Sequence, residues 1–416
     1  MAGPDRGERT QGENHVAQSA QLDDQDALWL VQVGGVPVAL TVKPSCSAAG
    51  GIPPRRTPFL VYRDRIGAPS ELAFLRRQYV GFSQLEPVWT GRVLLPLAHE
   101  VGPRLLRIGG DGPFGFARRL LFRHGGVAPS IPIQGLAPVV HAQFGRGGAL
   151  ALPLARVLRA RLVVTLHGGD VGKDKNWSGT VLARRWPATI AATQHFVCVS
   201  QAVAAIAARR GVPEGKLLVL PIGVEVPASP PPALPTPSYH MFVGRFVDKK
   251  GIAVIAAAVR RLRAGGDMTP VVFVGDGPLR PILETLRRDV PGIALAGWLA
   301  PDAVRERMAG AWSLLVPSVI AANGDTEGLP SVVPEAMSQG CVVIGSNEGG
   351  IAEAIRHDVT GLLVPPGDVV ALAEAMARVG DPRLRARLGV AGFQAVAVNL
   401  NARIQSARLE AILLSD

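Results

Sequence analysis

A proline-rich run near the middle of this chain, residues 226–237, limits its possible folds more than any other feature. Repeated prolines remove the N–H groups that a helix or a central strand needs, so the run reads as an extended linker. The same pattern recurs on both sides of it. Short apolar runs lie at 59–62, 138–142, 162–166 and 195–199 before the linker, and at 240–243, 271–274, 293–296, 312–316 and 341–344 after it. Between those of the second half stand helical stretches at 252–264, 278–288 and 301–309, the last two opening on Pro278 and Pro301, where a missing N–H costs nothing. Strand, helix and strand in repetition predict a parallel sheet with helices on both faces. Two such units predict an α/β fold with a cleft where the C-terminal ends of both sheets face each other.

A length of 416 residues fits two domains, and 48% hydrophobic residues can fill two cores. Domain bounds follow: 57–224, the linker at 225–238, 239–390, and a C-terminal helical stretch at 391–416. Residues 1–56 are a polar tail followed by an unassigned segment. Its apolar part, 27–42, is shorter than the ~20 residues of a spanning helix and contains Gly34, Gly35 and Pro37. A strand, an interfacial segment and an early start codon all remain open for it. Cys46, Cys198 and Cys341 form neither a disulfide framework nor a zinc spacing, and a reducing cytoplasm is expected.

Charge is distributed unevenly. Residues 51–224 hold 23 Lys plus Arg against 8 Asp plus Glu, whereas 225–416 hold 18 against 19. The basic excess of the first half asks for nucleic acid, an anionic membrane surface or a phosphate-bearing ligand.

Three motifs of the second half carry chemistry. Glu327 and Glu335 flank a turn of Gly328, Leu329 and Pro330, with Ser331 placed to cap the helix that follows. Amides at that helix start suit an anion, and Glu335, about one turn along, can accept from ribose hydroxyls. A loop charge and a surface helix residue would also account for the pair. The segment from Gly244 to Gly251 follows the first strand after the linker. Arg245 and Lys250 there can reach one diphosphate, with Gly244 admitting it closely, although an ordinary basic loop reads the same way. Gly275, Asp276 and Gly277 end the next strand, either as a site for base or ribose or as a tight turn.

Taken in order and at these spacings, the three motifs resemble the retaining glycosyltransferases of family 4, among them bacterial exopolysaccharide enzymes. The stretches 349–355 and 361–367 resemble the same family, and the likeness runs from about residue 57 to the C-terminus. The resemblance implies two Rossmann-like domains, the GT-B arrangement. It implies that Arg245 and Lys250 neutralise the diphosphate of a UDP- or GDP-sugar, that Glu335 holds the ribose, and that Glu327 sits beside the sugar. In the first half, 70–77, 141–145 and 165–170 resemble the acceptor domain. His141, Gly168, Gly169 and Asp170 are expected on the acceptor side and His167 near the donor sugar. Gln143 stands where many relatives place a second histidine, so no role carries over to it.

No enzyme nucleophile is evident, so charge stabilisation of the leaving diphosphate is the expected catalytic term, without a metal or other cofactor. The Asp-x-Asp triplet, Asp24 to Asp26, lies in the polar tail. Gly110 to Gly115 matches a dinucleotide fingerprint, but the next acid is Asp170, far beyond the ~20 residues such a site requires. No Walker A pattern occurs, and with 5% aromatics and no reading module, nucleic acid is excluded. A non-catalytic nucleotide-sugar-binding protein or partner subunit on the same fold is the alternative reading. A sugar-nucleotide epimerase is a weaker one. The stretch 114–123 mixes large apolar and cationic residues as interfacial helices do, or as any amphipathic helix packed on its sheet does. Under the transferase reading it docks the first domain on the inner leaflet, where a polyprenyl-diphosphate-linked saccharide would be the acceptor.

Overall fold

The computed structural model describes residues 27–33, 36–42, 56–110, 112–124, 134–173, 179–230, 239–321 and 327–415. The Asp24–Asp26 triplet, Cys46, Asp111 and the 231–237 part of the linker lie outside them.

The first sheet has nine strands: β1 (Ala27–Val33), β2 (Val36–Val42), β3 (Thr57–Tyr62), β5 (Leu85–Gly91), β7 (Leu105–Arg107), β8 (Val139–Gln143), β9 (Arg161–Leu166), β10 (Thr193–Cys198) and β11 (Leu217–Val219). Two short strands, β4 (Arg65–Ile66) and β6 (Val93–Leu94), pair separately. The order β2-β1-β11-β10-β9-β8-β3-β5-β7 is parallel except for β1 and β2, an antiparallel pair at one edge. Residues 27–33 and 36–42, from the segment the sequence left open, are therefore two strands of this sheet.

The second sheet is all parallel. It comprises β12 (His240–Val243), β13 (Val271–Val274), β14 (Ile293–Gly297), β15 (Ser313–Val316), β16 (Val342–Ser346) and β17 (Leu362–Val364), in the order β14-β13-β12-β15-β16-β17. The strand order reverses at β3/β8 in the first sheet and at β12/β15 in the second. Open α/β sheets bind ligands at such switch points.

Helices cover both faces of each sheet. The first half contains α1 (Pro69–Arg77), α2 (Gly112–His124), α3 (Gly145–Val157), α4 (Gly169–Gly172), α5 (Val181–Ala192) and α6 (Gln201–Arg209). The second contains α7 (Ile252–Ala264), α8 (Arg280–Asp289), α9 (Pro301–Gly310), α10 (Val332–Ser338), α11 (Gly349–Ala354), α12 (Val369–Arg378) and α13 (Pro382–Asn399). Alternation along a strand sends successive side chains to opposite faces. Leu60, Val140, Leu162 and Val164 pack in one core with α3, α5 and α6. Phe59, Val61, Val163 and Val197 pack in another, with Leu72 and Leu75 of α1 and with Leu409, Ile412 and Leu413 of the last helix, α14 (Ala402–Leu414).

The chain thus crosses between the domains twice, and the crossings are bonded together. Val224 N–H donates to Leu400 O and Ala402 N–H to Val224 O, both at 2.8 Å. A methyl group on Gly223 would lie 2.5 Å from Ala402 Cα, so glycine is required for this approach. Glu410 of α14 fixes the return by accepting from the N–H groups of Ser83, Gln84 and Leu85 at 2.7–3.0 Å.

Candidate active site

A cleft of about 750 Å³ opens where the two sets of strand ends meet. Its second-domain wall is the loop after β12. Gly251, at φ 69°, starts α7, and a Cβ there would lie 2.0 Å from Pro317 O, so this glycine lets the loop seat against the end of β15. The tight turn Asp248–Lys250 places two lysines side by side, each Nζ 3.2 Å from Glu327 Oε1. Burial alone would push the Glu327 carboxyl up, but Lys250 and Lys249 together outweigh it and hold it below its ordinary value, ionised. Arg245 is exposed on the same wall and has no acid partner among the described residues. Three cations against two carboxylates, Glu327 and Asp248, leave this wall net positive, which suits a polyanion. Lys249, which the motif reading passed over, shares the position of Lys250 equally.

Gly275, Asp276 and Gly277 stand behind this loop and do not line the cleft. Gly244 N–H donates to Val274 O, Phe246 N–H to Asp276 O and Gly275 N–H to Gly297 O at 2.7–3.0 Å. A Cβ on Gly275 would lie 2.0 Å from Gly244 O, so the glycine permits loop-on-loop packing. Asp276 caps its own turn through Gly277 N–H at 2.7 Å. The tight-turn alternative accounts for these contacts, and none of the three residues lines the cleft. Trp298, 64% exposed, enters the cleft from the loop after β14.

Leu329 and Pro330 line the cleft, while Gly328 joins the domains: its Cβ would lie 2.5 Å from His167 O. Ser331 takes a helical backbone (φ −58°, ψ −26°) and makes no side-chain cap, because the capping geometry requires an extended residue. Glu335 follows in α10, but its carboxylate is turned to Arg77 of α1, 2.5 Å away. A second contact across the interface is Glu353, which accepts from Gln201 N–H and Ala202 N–H at the start of α6, at 2.7 and 2.8 Å. Neither contact is readable from a motif.

On the first-domain wall, Arg63 pairs with Glu71 through two bonds of 2.9 and 2.7 Å and lies 4.2 Å over the Phe144 ring. Phe144 itself has φ 69°, a strained conformation for a residue with a side chain, of the kind that collects at functional sites. His167 lies against Phe144 and Phe74, at 4.3 and 5.2 Å between ring centres, and keeps part of its surface open to the cleft. Burial, then the Arg63 charge and His141, hold its imidazole neutral, pushed down to about 3.

Two acceptor-side expectations change. His141 is fully buried and does not reach the cleft; it bonds Tyr79 and Thr165. The reason is strand length: β8 runs two residues past His141, whereas β9 ends one residue before His167. Asp170 ties loops together, accepting from Gly145 N–H at 2.7 Å and His167 N–H at 3.0 Å, and burial pushes its carboxyl up against those bonds. Gly168, at φ 107°, lets the backbone pass within 3.0 Å (Cβ to N) of Gly328, and Gly169 opens α4.

Residues 237–381 match the family model described as Glycosyl transferases group 1, and residues 97–226 that of Glycosyltransferase Family 4. The chain is 30% identical over 253 residues to the amylovoran biosynthesis glycosyltransferase AmsK of Erwinia amylovora, 59% of this chain and 62% of that protein. It therefore spans about three fifths of that relative's length. It is 30% identical over 293 residues to a GDP-mannose-dependent alpha-(1-6)-phosphatidylinositol monomannoside mannosyltransferase of Mycobacterium tuberculosis, 66% of this chain and 75% of that one. The fold is similar to that of Anabaena HepE, solved with UDP, at a TM-score of 0.68 and 16% identity, covering 86% of this chain and 99% of that one. The sucrose-phosphate synthase of Thermosynechococcus elongatus aligns at a TM-score of 0.63 and 20% identity, covering 86% and 98%.

Proposed function

This chain belongs to the glycosyltransferases, a group 1 module joined to a family 4 module on the GT-B fold, and from that premise we propose that it transfers a sugar from a UDP- or GDP-sugar with retention of configuration. The observation that carries the reading is one cleft in which Arg245, Lys249, Lys250 and Glu327 of one domain face His167 of the other. Relatives named for amylovoran synthesis and for a lipid-linked mannoside support polysaccharide or glycan assembly as the setting.

The residues divide the work as follows. Arg245, Lys249 and Lys250 take the diphosphate and stabilise the charge that grows on it as the anomeric C–O bond breaks. An acceptor hydroxyl attacks the anomeric carbon from the face the nucleotide leaves, and its proton passes to the departing phosphate oxygen. Glu327, ionised between its lysines, stands beside the sugar, and Glu335 takes the ribose once Arg77 releases it. No metal enters this scheme; transfer that persists in EDTA supports it, and transfer abolished by EDTA overturns it. A transfer and hydrolysis screen of UDP- and GDP-sugars tests the whole reading. Activity with one donor, lost in a Lys249→Ala/Lys250→Ala double variant, is the expected result.

The acceptor side follows from the surface. No helix among the described residues is long and apolar enough to cross a membrane. In α2, however, Phe114, Phe116, Leu120 and Leu121 are 81, 64, 46 and 54% exposed, while Phe122 on the opposite side is buried. Arg118 and Arg123 flank that apolar face. An apolar face bordered by arginines fits the headgroup layer of an anionic membrane. The first domain would then rest on the inner face of the plasma membrane, where a polyprenyl-diphosphate-linked saccharide presents its hydroxyl.

A further inference from the structure

The apolar strands β8 and β9 carry three buried polar side chains at the end nearest the cleft: His141 and Gln143 on β8, and Thr165 on β9. Burying polar groups costs free energy unless each finds a partner. Here they find one another through α1 and its exit. His167 Nε2 lies 2.9 Å from Gln143 Oε1. Gln143 Nε2 donates to Tyr79 Oη at 2.7 Å, and Gln78 brackets the same amide at 3.2 Å. Tyr79 Oη lies 2.8 Å from His141 Nδ1, and His141 Nε2 lies 2.7 Å from Thr165 Oγ1.

Donor and acceptor roles along this chain depend on each other. An amide oxygen accepts only, so His167 Nε2 must donate to it. The Gln143 NH₂ donates only, so Tyr79 accepts from it and passes its own hydroxyl hydrogen to His141 Nδ1. His141 then carries its proton on Nε2 and gives it to Thr165. Burial keeps both rings neutral, so each holds a single N–H. Satisfying the same atoms in reverse would require the Gln143 amide to be turned over.

We infer that Gln143, Tyr79 and His141 are positioning residues that fix His167 as its Nε2–H tautomer, leaving Nδ1 as an acceptor for a hydroxyl of the donor sugar. Nδ1 has no partner among the described residues, and the ring it belongs to lines the cleft. The substrate consequence rests on the sugar-nucleotide reading of the cleft; the tautomer does not. A ring nitrogen that only accepts rewards a sugar with a free hydroxyl at that point and penalises its deoxy or O-methyl analogue, which offers no hydrogen to donate.

The test is a long-range ¹H–¹⁵N correlation spectrum of the ¹⁵N-histidine-labelled protein, with His167 assigned by its loss in His167→Asn. The expected result is a single Nε2–H tautomer in the wild type. In Tyr79→Phe the amide keeps only its 3.2 Å bond to Gln78 Oε1 and His141 Nδ1 loses its donor, so the amide is freer to turn over and the tautomers should mix. Tyr79→Phe should also lower kcat about tenfold, the worth of one hydrogen bond, with the nucleotide Kd nearly unchanged and the melting temperature lowered, because His141 Nδ1 and one Gln143 N–H are left short of a partner. An Nδ1–H or mixed wild-type ring overturns the inference, as does a Tyr79→Phe variant that keeps both the pure tautomer and full kcat. A pure Nε2–H ring in a protein that turns over no sugar nucleotide would instead remove the transferase reading and leave the hydrogen-bond chain standing.

Discussion

Arg77→Ala should tighten nucleotide binding, an outcome opposite to that expected for removing a cation from the edge of an anion site. The argument starts from Glu335. If its carboxylate takes the ribose, a donor must first displace Arg77, whose Nη2 lies 2.5 Å away with the two side chains only 11 and 20% exposed. An ion pair so placed lies between exposed pairs, worth about 0–1 kcal/mol, and buried ones that cost about 3–5 kcal/mol to break. Taking about 1–2 kcal/mol as the cost of release, the wild-type affinity is reduced roughly 5- to 30-fold, because the binding-competent form is only a fraction of the population. Arg77→Ala removes that cost. Titration calorimetry with UDP and GDP on the wild type, Arg77→Ala and Glu335→Ala measures it, with the exposed neighbour Arg76→Ala as a control for net charge. The expected order of Kd is Arg77→Ala below wild type below Glu335→Ala. A weaker or unchanged Kd for Arg77→Ala would refute the competition and make Arg77 part of the nucleotide site.

Stability should depend on pH through buried histidines. His141 and His240 titrate at about 3 and about 4 in the folded chain, lowered by burial from 6.5. The unfolded chain therefore takes up protons first, and stability, complete above pH 6.5, falls toward pH 4 by about 2 kcal/mol for each by pH 5, a loss that melting curves across pH 7 to 5 will measure. Glu410→Ala strands backbone donors of Ser83, Gln84 and Leu85, costing about 2–4 kcal/mol and lowering the melting temperature by roughly 10 °C; an unchanged melt would mean that α14 is not a brace. Replacing Arg118, Arg119 and Arg123 by Ala should weaken binding to anionic liposomes on the order of 100-fold in flotation assays, at about 1 kcal/mol per arginine near the surface. Unchanged flotation would exclude α2 as the contact.

Local pattern carried most of the architecture. The strand runs and the helices at 252–264 and 301–309 follow from apolar periodicity that burial in a parallel sheet imposes, and α7 and α9 lie at Ile252–Ala264 and Pro301–Gly310. The segment 27–42 was legible only as apolar and too short to span a membrane; its pairing, Val33 with Val36 and onward in antiparallel register, came from the sheet edge it joins. The cationic loop was equally visible, since Arg245 and Lys250 lie seven residues or fewer from the strand that presents them. What pattern could not carry was the second partner of each group. Arg77 and Glu335 are separated by 258 positions, so the motif showed a carboxylate without showing what occupies it. His141 and His167 look alike in sequence because each stands near a strand end. His141 lies two residues inside the end of β8 and is buried, whereas His167 stands one residue past the end of β9 and stays at the cleft. Gln143 had no role to inherit, and only the packing of α1 against β8 gives it one.

The measurement that bears most directly on the central claim is nucleotide release and sugar transfer by the purified protein across a panel of UDP- and GDP-sugars, with Glu327→Gln and the Lys249→Ala/Lys250→Ala variant alongside. The account predicts turnover of one donor class, product with the donor's anomeric configuration, and loss of turnover in both variants. Full turnover in both variants, or a protein that binds and turns over no sugar nucleotide, would contradict it.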